Sequence, residues 1–306
     1  MSFGLLFSGQ GTQHAQMLPW LDHDDALLRR TEAALGVHDW RQALHDPRWA
    51  ARNRHVQILL TGVGLSAWAQ IAPHLPAPGA VAGYSVGELA AFCAAGVFDA
   101  GTAVDLAALR AEAMDRCAAV SPGGLLAVGG LEASAVEALC IGTGVSVAIR
   151  IEVDAVVLGG PQEGLDLVEA QAVGRGARCS RLNVELASHT PAMRGAADEF
   201  AHVLRGTTLK TPAVALFSNA TGDRVFDADQ AAQGLSSQIA QTVQWADCLA
   251  AVHARRVACV LEIGPGSALA AMWNRRYPEV PARSVDEFRG AGAVVEWVKG
   301  KLAGAR

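Results

Sequence analysis

Residues 83–87 read Gly83-Tyr84-Ser85-Val86-Gly87, a serine at the centre of a Gly-x-Ser-x-Gly run. Ala80-Val81-Ala82-Gly83 predicts a short buried strand ahead of it, and Glu88–Ala95 predicts a helix after it. A serine at such a strand–turn–helix junction is held out on a tight turn with its hydroxyl at the helix N-terminus. The next backbone N–H, on Val86, can then point at a developing oxyanion. That arrangement suits nucleophilic attack on an acyl group. An ordinary βα turn is the plain alternative, because a chain with 32 glycines meets this pattern by chance.

A nucleophilic serine needs a base. The nine histidines are His14, His23, His38, His45, His55, His74, His189, His202 and His253. An ordinary hydrolase of this type places its histidine late in the chain. Here none follows His253, which weighs against an esterase. His189 stands in Leu186-Ala187-Ser188-His189-Thr190-Pro191, at a predicted strand end before a helix. Taken alone, such a histidine is most often structural. Arg110 is out of place on a helix predicted over Thr102–Cys117, among Leu106, Leu109, Ala113 and Met114. It is either a snorkelling surface arginine or a buried cation with a carboxylate to meet.

The elements that must position these groups alternate between strand and helix, the α/β signature. A strand is expected over Gly4–Ser8 and helices over His55–Ile71 and Thr102–Cys117. After Ser121-Pro122-Gly123-Gly124 the segments shorten: strand Leu125–Gly129, helix Ala133–Cys140, strands Val145–Ile151 and Ala155–Leu158, helix Gln162–Gly174, strand Arg178–Val184. This βαββαβ order is ferredoxin-like. Beyond it come a helix over Pro191–Leu204, a strand over Val214–Ser218, and one helix over Gln230–Val252. A strand over Val257–Ile263 and helices over Ala268–Arg275 and Ala293–Leu302 close the chain.

The chain has 306 residues, enough for one large domain or a domain with an insert. Lys+Arg is 25 and Asp+Glu is 30, a net charge of −5, so no basic excess exists to hold nucleic acid phosphates. Hydrophobic residues make up 51% and charged residues 18%, which excludes a disordered chain. Six scattered cysteines without a CxxC pair predict reduced thiols and a cytoplasmic protein. The N-terminus lacks a basic segment and a cleavage site, and the absence of a long apolar run predicts no membrane crossing.

Weaker signals read as structure. Gly9-Gln10-Gly11 lacks the third glycine of a dinucleotide fingerprint, and Gly62-Val63-Gly64-Leu65-Ser66-Ala67 lies inside a helical pattern. Asp22-His23-Asp24-Asp25 is expected to be a solvated acidic loop, with no metal site. Arg52-Asn53-Arg54 and Arg255-Arg256 are expected at the surface, with a phosphate-bearing ligand or an acidic partner as the alternative role.

Five motifs in order make the chain resemble malonyl-CoA:acyl carrier protein transacylases and the acyltransferase domains of polyketide synthases, over essentially its whole length. They are Phe7-Ser8-Gly9-Gln10-Gly11-Thr12-Gln13, the Ser85 turn with Glu88, Arg110-Ala111-Glu112-Ala113-Met114, Ser188-His189, and Glu262-Ile263-Gly264-Pro265-Gly266. The resemblance implies Ser85 as the acylated nucleophile and His189 as its base, with the other ring nitrogen held by a backbone carbonyl. It implies an oxyanion hole from the N–H groups of Gln10 and Val86. Arg110 would pair with the free malonyl carboxylate, and Gln238 would help fix the geometry. No bound cofactor is implied; malonyl-CoA and an acyl carrier protein are the expected partners. The family's usual histidine before the nucleophile is Tyr84 here, and its Asn-x-Asn-x-Pro-x-Gln run is replaced by Ile149-Arg150-Ile151-Glu152-Val153-Asp154-Ala155. Gly83-Tyr84-Ser85, Phe7–His14 and Met17-Leu18-Pro19-Trp20-Leu21 look most like the epsilon subunit of malonate decarboxylase.

The expected architecture is an α/β hydrolase-like parallel-sheet core, residues 1–120 and 186–306, carrying a ferredoxin-like insert over 121–185. The cleft between them would hold the site. The expected function is malonyl transfer through a serine acyl-enzyme to a carrier thiol, that of malonate decarboxylase or of fatty-acid synthesis. A thioesterase or esterase would use water as acceptor and need no carboxylate-binding arginine. A carrier-docking module would need none of Ser85, His189 and Arg110.

Overall fold

The computed structural model describes residues 2–22 and 24–304. Among the described residues, ten strands form two sheets. They are β1 (Gly4–Phe7), β2 (Ala80–Gly83), β3 (Gly124–Gly129), β4 (Ser146–Glu152), β5 (Ala155–Gly160), β6 (Arg178–Arg181), β7 (Leu216–Phe217), β8 (Arg224–Val225), β9 (Val260–Ile263) and β10 (Ala282–Ser284). The larger sheet runs β10-β9-β1-β2-β7-β8 and is parallel except for β8. Helices cover both its faces, so β1, β2 and β9 are buried throughout and read as unbroken small or apolar runs apart from Glu262.

Register decides where the site can be. Phe7 of β1 stands opposite Gly83 of β2 and Ile263 of β9. Three loops, carrying Gln10, Ser85 and Gly264, therefore leave the sheet side by side at its carboxyl edge, where open α/β sheets bind ligands.

The smaller sheet runs β4-β5-β3-β6, antiparallel throughout, as the ferredoxin-like order requires. The helices Ala133–Cys140 and Gln162–Gly174 pack on it through Val136, Leu139, Leu165 and Val168. Its edge strand β4 is tied to the core by backbone hydrogen bonds. Arg150 N–H donates to the Val243 carbonyl at 2.9 Å and Val243 N–H to the Ala148 carbonyl at 2.9 Å. The Thr242 hydroxyl donates to the Val147 carbonyl at 2.7 Å.

That tie explains the largest departure from the expected elements. The helix expected over Gln230–Val252 is two helices, Ala228–Ser237 and Trp245–Ala254. The residues between them turn at Gln238–Ala240 and then bring Thr242 and Val243 alongside β4, with Val243 bridged to Ile149. Smaller departures have local causes. The strand expected to Val184 stops at Arg181, because Val184 N–H turns back to the Leu182 carbonyl. The strand expected over Val214–Ser218 is ladder-paired only at Leu216–Phe217. The helix after Pro191 starts as a 3₁₀ turn before Arg194–Arg205.

The helix Ala26–Leu35, which the apolar pattern did not suggest, is capped by Asp25 and ended by Gly36 in the left-handed conformation at φ 69°. Asp25 thus serves as a helix cap and also accepts from the Ser66 hydroxyl at 2.9 Å. His23, within that acidic run, lies outside the described residues. The stretch Asn53–His74 is long and apolar enough to cross a membrane, which the sequence reading did not anticipate; 72% of its most apolar window is buried inside the fold. Gly62, at its centre, lets this helix close on Thr31, since a Cβ there would lie 2.0 Å from the threonine hydroxyl oxygen.

Candidate active site

The turn after β2 is built by its glycines. A Cβ on Gly83 would stand 2.1 Å from the Gly87 carbonyl oxygen, and one on Gly87 would stand 2.4 Å from that of Phe7. Only glycine allows β2, the turn and the loop after β1 to close this tightly. Between them Ser85 takes φ +55°, a conformation that costs a non-glycine residue about 1–2 kcal/mol. The turn is fixed by Gly87 N–H to the Tyr84 carbonyl and Glu88 N–H to the Ser85 carbonyl, each 3.0 Å. Asn219, from the loop after β7, accepts from the Ser85 N–H at 2.8 Å and donates to the Gly83 carbonyl at 2.7 Å.

The Ser85 hydroxyl lies 2.7 Å from Nε2 of His189. Nδ1 of the same ring lies 2.6 Å from the backbone carbonyl of Gln238. A carbonyl oxygen can only accept, so Nδ1 carries the proton and Nε2 is free to accept from the serine. The break between the two helices supplies that carbonyl, because Gln238 sits where the first helix ends. His189 itself has φ +62°, held by its own N–H donating to the Ile239 carbonyl at 2.9 Å. Burial, aided by the nearby charge of Arg110, lowers its pKa to about 3, against the opposing carbonyl contact.

Arg110 is buried, which removes the snorkelling alternative. Nη1 donates to the side-chain oxygen of Gln57 at 2.6 Å and Nη2 to that of Gln238 at 3.4 Å, while Nε has no partner among the described residues. Gln238 therefore touches both His189 and Arg110, one through its backbone and the other through its side chain. Burial lowers the Arg110 pKa to about 10, so it stays charged at neutral pH. Glu88 lies near enough to favour that charge, yet burial lifts its own carboxyl to about 8.

Gln10 follows Gly9, where a Cβ would lie 2.6 Å from the Tyr84 ring, so its loop runs along the serine turn. The loop is braced by the Ser8 hydroxyl donating to Glu262 at 2.8 Å and the Thr12 hydroxyl donating to the Pro265 carbonyl at 2.8 Å. Glu262 also accepts from the amides of Leu269 and Ala270 at the next helix's start; burial first of all raises its pKa to about 7. The amides of Gln10 and Val86 have no hydrogen-bond partner among the described residues. Tyr84, the residue before Ser85, packs edge-on against Trp245 at 5.1 Å between ring centroids.

A cleft of 660 Å³ leads to His189 from between the two sheets, walled by Val147 and Arg150 on one side and Ala220, Gln241 and Gln244 on the other. Of the six residues singled out from sequence, His189 lines this cleft, and hydrogen bonds join Ser85, Gln238 and Arg110 to it. Two residues of the site were missed. Gln57 had a signal, a lone polar side chain between Val56 and Ile58. Asn219 had only that of a turn after a strand. Among the described residues no cluster of three or more acidic, histidine or cysteine side chains could hold a metal. Of the expected basic clusters, Arg54 pairs with Glu112 at 2.9 Å next to Asn53, whose side chain accepts from Gln57 at 2.8 Å, and Arg255-Arg256 precede β9 at the sheet's opposite edge.

The family profile described as acyl transferase domain matches residues 5–299. The malonyl CoA-acyl carrier protein transacylase of Mycobacterium tuberculosis is 32% identical over 294 residues, 92% of this chain and 95% of that one. An acyl-carrier-protein S-malonyltransferase from Burkholderia pseudomallei superposes with a TM-score of 0.88 at 27% identity, covering 97% of this chain and 100% of that one. A malonyl-transacylase solved in complex with its type II PKS acyl-carrier protein superposes at 0.89 with 25% identity, covering 97% and 99%.

Proposed function

The chain belongs to the acyl transferase domain family and is an acyltransferase; from that premise we propose that it moves a malonyl group from malonyl-CoA, through an ester on Ser85, to the thiol of an acyl carrier protein. The observation that carries this reading is a neutral Ser85–His189–Gln238 chain joined through Gln238 to a buried Arg110.

Nε2 of His189 takes the Ser85 hydroxyl proton as Oγ attacks the thioester carbonyl. Charge then moves onto the carbonyl oxygen, where the free amides of Val86 and Gln10 would receive it; one such donor is worth about 10²- to 10³-fold in rate. As the intermediate collapses the C–S bond breaks, and His189 returns the proton to the departing CoA sulfur. The second half runs in reverse. The carrier thiol gives its proton to His189, its sulfur attacks the malonyl ester, and Ser85 leaves with the proton. Arg110 offers a fork to the distal carboxylate that a lysine could not match. This distinguishes the reading from a plain esterase, which has no use for a buried cation beside its nucleophile.

The carrier of malonate decarboxylase is our preferred acceptor. Gly83-Tyr84-Ser85 together with Phe7–His14 and Met17-Leu18-Pro19-Trp20-Leu21 supports it. The fatty-acid carrier is the alternative; the relatives are named for an acyl carrier protein. Intact-mass measurement after incubation with malonyl-CoA tests the chemistry: the wild type gains one malonyl group and Ser85→Ala gains none. An adduct on the variant removes Ser85 from the reaction. Offering the malonyl-enzyme each carrier in turn, with water alone as control, decides the acceptor by relative transfer rates.

A further inference from the structure

Every polar group of Asn219 is engaged, and its partners belong to the supports of both reacting side chains. Its side-chain oxygen accepts from the Ser85 N–H at 2.8 Å, and its side-chain nitrogen donates to the Gly83 carbonyl at 2.7 Å. Those two backbone groups flank Tyr84 and fix the turn on either side of it. The main-chain N–H of Asn219 donates to Glu88 Oε1 at 2.6 Å. Its carbonyl accepts from the Gln244 N–H at 2.7 Å, at the end of the interhelical segment that begins with Gln238, the acceptor for His189. Asn219 is fully buried, as is Glu88.

We propose that Asn219, anchored by Glu88, is a positioning residue that holds Ser85 in its left-handed conformation and aims both its hydroxyl and the Val86 amide. At φ +55° Ser85 would gain by relaxing. Within the turn itself, the bonds from Gly87 to Tyr84 and from Glu88 to Ser85 leave the Ser85 amide free to swing. Asn219 supplies the only acceptor for that amide among the described residues. The Ser85 N–H and the Val86 N–H are successive donors on one short turn. Capturing the first in Asn219 turns it away from the reacting carbon and leaves the second for the oxyanion. Glu88 serves as an acceptor here, so its charge is not required.

The inference rests on Ser85 being the acylated nucleophile, and the experiment separates the two ideas. Active sites are first titrated with a serine-reactive fluorophosphonate, and single-turnover malonyl transfer from malonyl-CoA is then followed by quenched intact-mass measurement. Asn219→Ala should lower the acylation rate constant per titrated site by about 10- to 100-fold, the scale of an ångström-sized misplacement. KM for malonyl-CoA should stay within about threefold, because no contact with the distal carboxylate is lost. A merely structural role would instead lower melting temperature and titratable sites and leave the rate per site unchanged. That outcome overturns the proposal.

Should Asn219→Ala fail to fold, Glu88 decides. Glu88→Gln keeps an acceptor for the Asn219 amide and should retain acylation within about threefold, whereas Glu88→Ala should lose about tenfold or more. Equal rates for the two variants, both normal or both impaired, overturn it. A wild type that gains no malonyl group on Ser85 defeats the underlying reading instead.

Discussion

Among the described residues no carboxylate stands behind His189. Its Nδ1 proton goes to the Gln238 carbonyl, so nothing nearby carries a full negative charge to favour imidazolium, and the charge of Arg110 opposes it. With a pKa near 3 the ring remains a neutral base through the physiological range. Single-turnover acylation should therefore show no acid limb between about pH 5 and 8, where an ordinary histidine titrates near 6.5. A limb near 6.5 would place the base on another group. Arg110 gives the second prediction at this scale. A malonyl group brings a charge that must be matched in a largely dry site, while an acetyl group brings a methyl. Arg110→Ala should lose malonyl transfer but keep or gain acetyl transfer, shifting the ratio of kcat/KM by about 10- to 100-fold. Arg110→Lys should recover part of it. A flat ratio with both rates falling together would make Arg110 a structural residue only.

The elements that carry these residues are coupled more tightly than alternating strands and helices suggest. The loop holding His189 is packed against β5: a Cβ on Gly159 would lie 2.7 Å from the Thr190 methyl and 3.1 Å from Leu125. Gly159→Ala should therefore cost about 1–3 kcal/mol of stability by overpacking and lower kcat about tenfold through displacement of His189. Unchanged kcat with a lower melting temperature would show that the loop absorbs the strain away from the ring. The β4 tie through Arg150 and Val243 joins the small sheet to the segment that also presents the Gln238 carbonyl. From sequence, the βαββαβ order was legible because each of its segments has one period and clear glycine or proline borders. The serine turn was legible because its glycines are sterically required. The break at 238–244 was not: no glycine or proline falls there, and it is held by pairing of Val243 with a strand some ninety positions earlier. Asn219 was hidden for a similar reason, since its partners at Gly83, Ser85 and Glu88 are distant in sequence. The one-bridge strand pairs and the Asp25 cap also depend on contacts that periodicity does not encode.

Across the whole molecule, two buried carboxyls give stability a direction in pH. Glu88 and Glu262 have ordinary values near 4.5 when unfolded and about 8 and 7 when folded. The folded state thus binds more protons, and the stability they contribute, complete below about 4.5, is lost as pH rises through 7 and 8. His189 acts oppositely, but only below its unfolded value of 6.5, where the unfolded chain takes up a proton that the folded one refuses. Above 6.5 the acids set the direction, and buried thiols raised above their ordinary value of 9.0 act in the same sense near pH 9, so melting temperature should fall steadily from about pH 6.5 to 9. Glu88→Gln should flatten the upper part of that fall, and a melting temperature that rises over the range would contradict both assignments. The sheet has a consequence of another kind, one of timing. Its central strand β1 pairs with residues 80–83 on one side and with 260–263 on the other. During synthesis, β1 waits with one edge bare until Ile263 has emerged, and Ser8 waits equally long for Glu262. The Ser85 turn can form early, but the loop that supplies Gln10 cannot be braced until then. A nascent or truncated chain ending before β9 would hold Ser85 and His189 yet expose an unpaired apolar strand, an invitation to aggregate before it could ever transfer an acyl group.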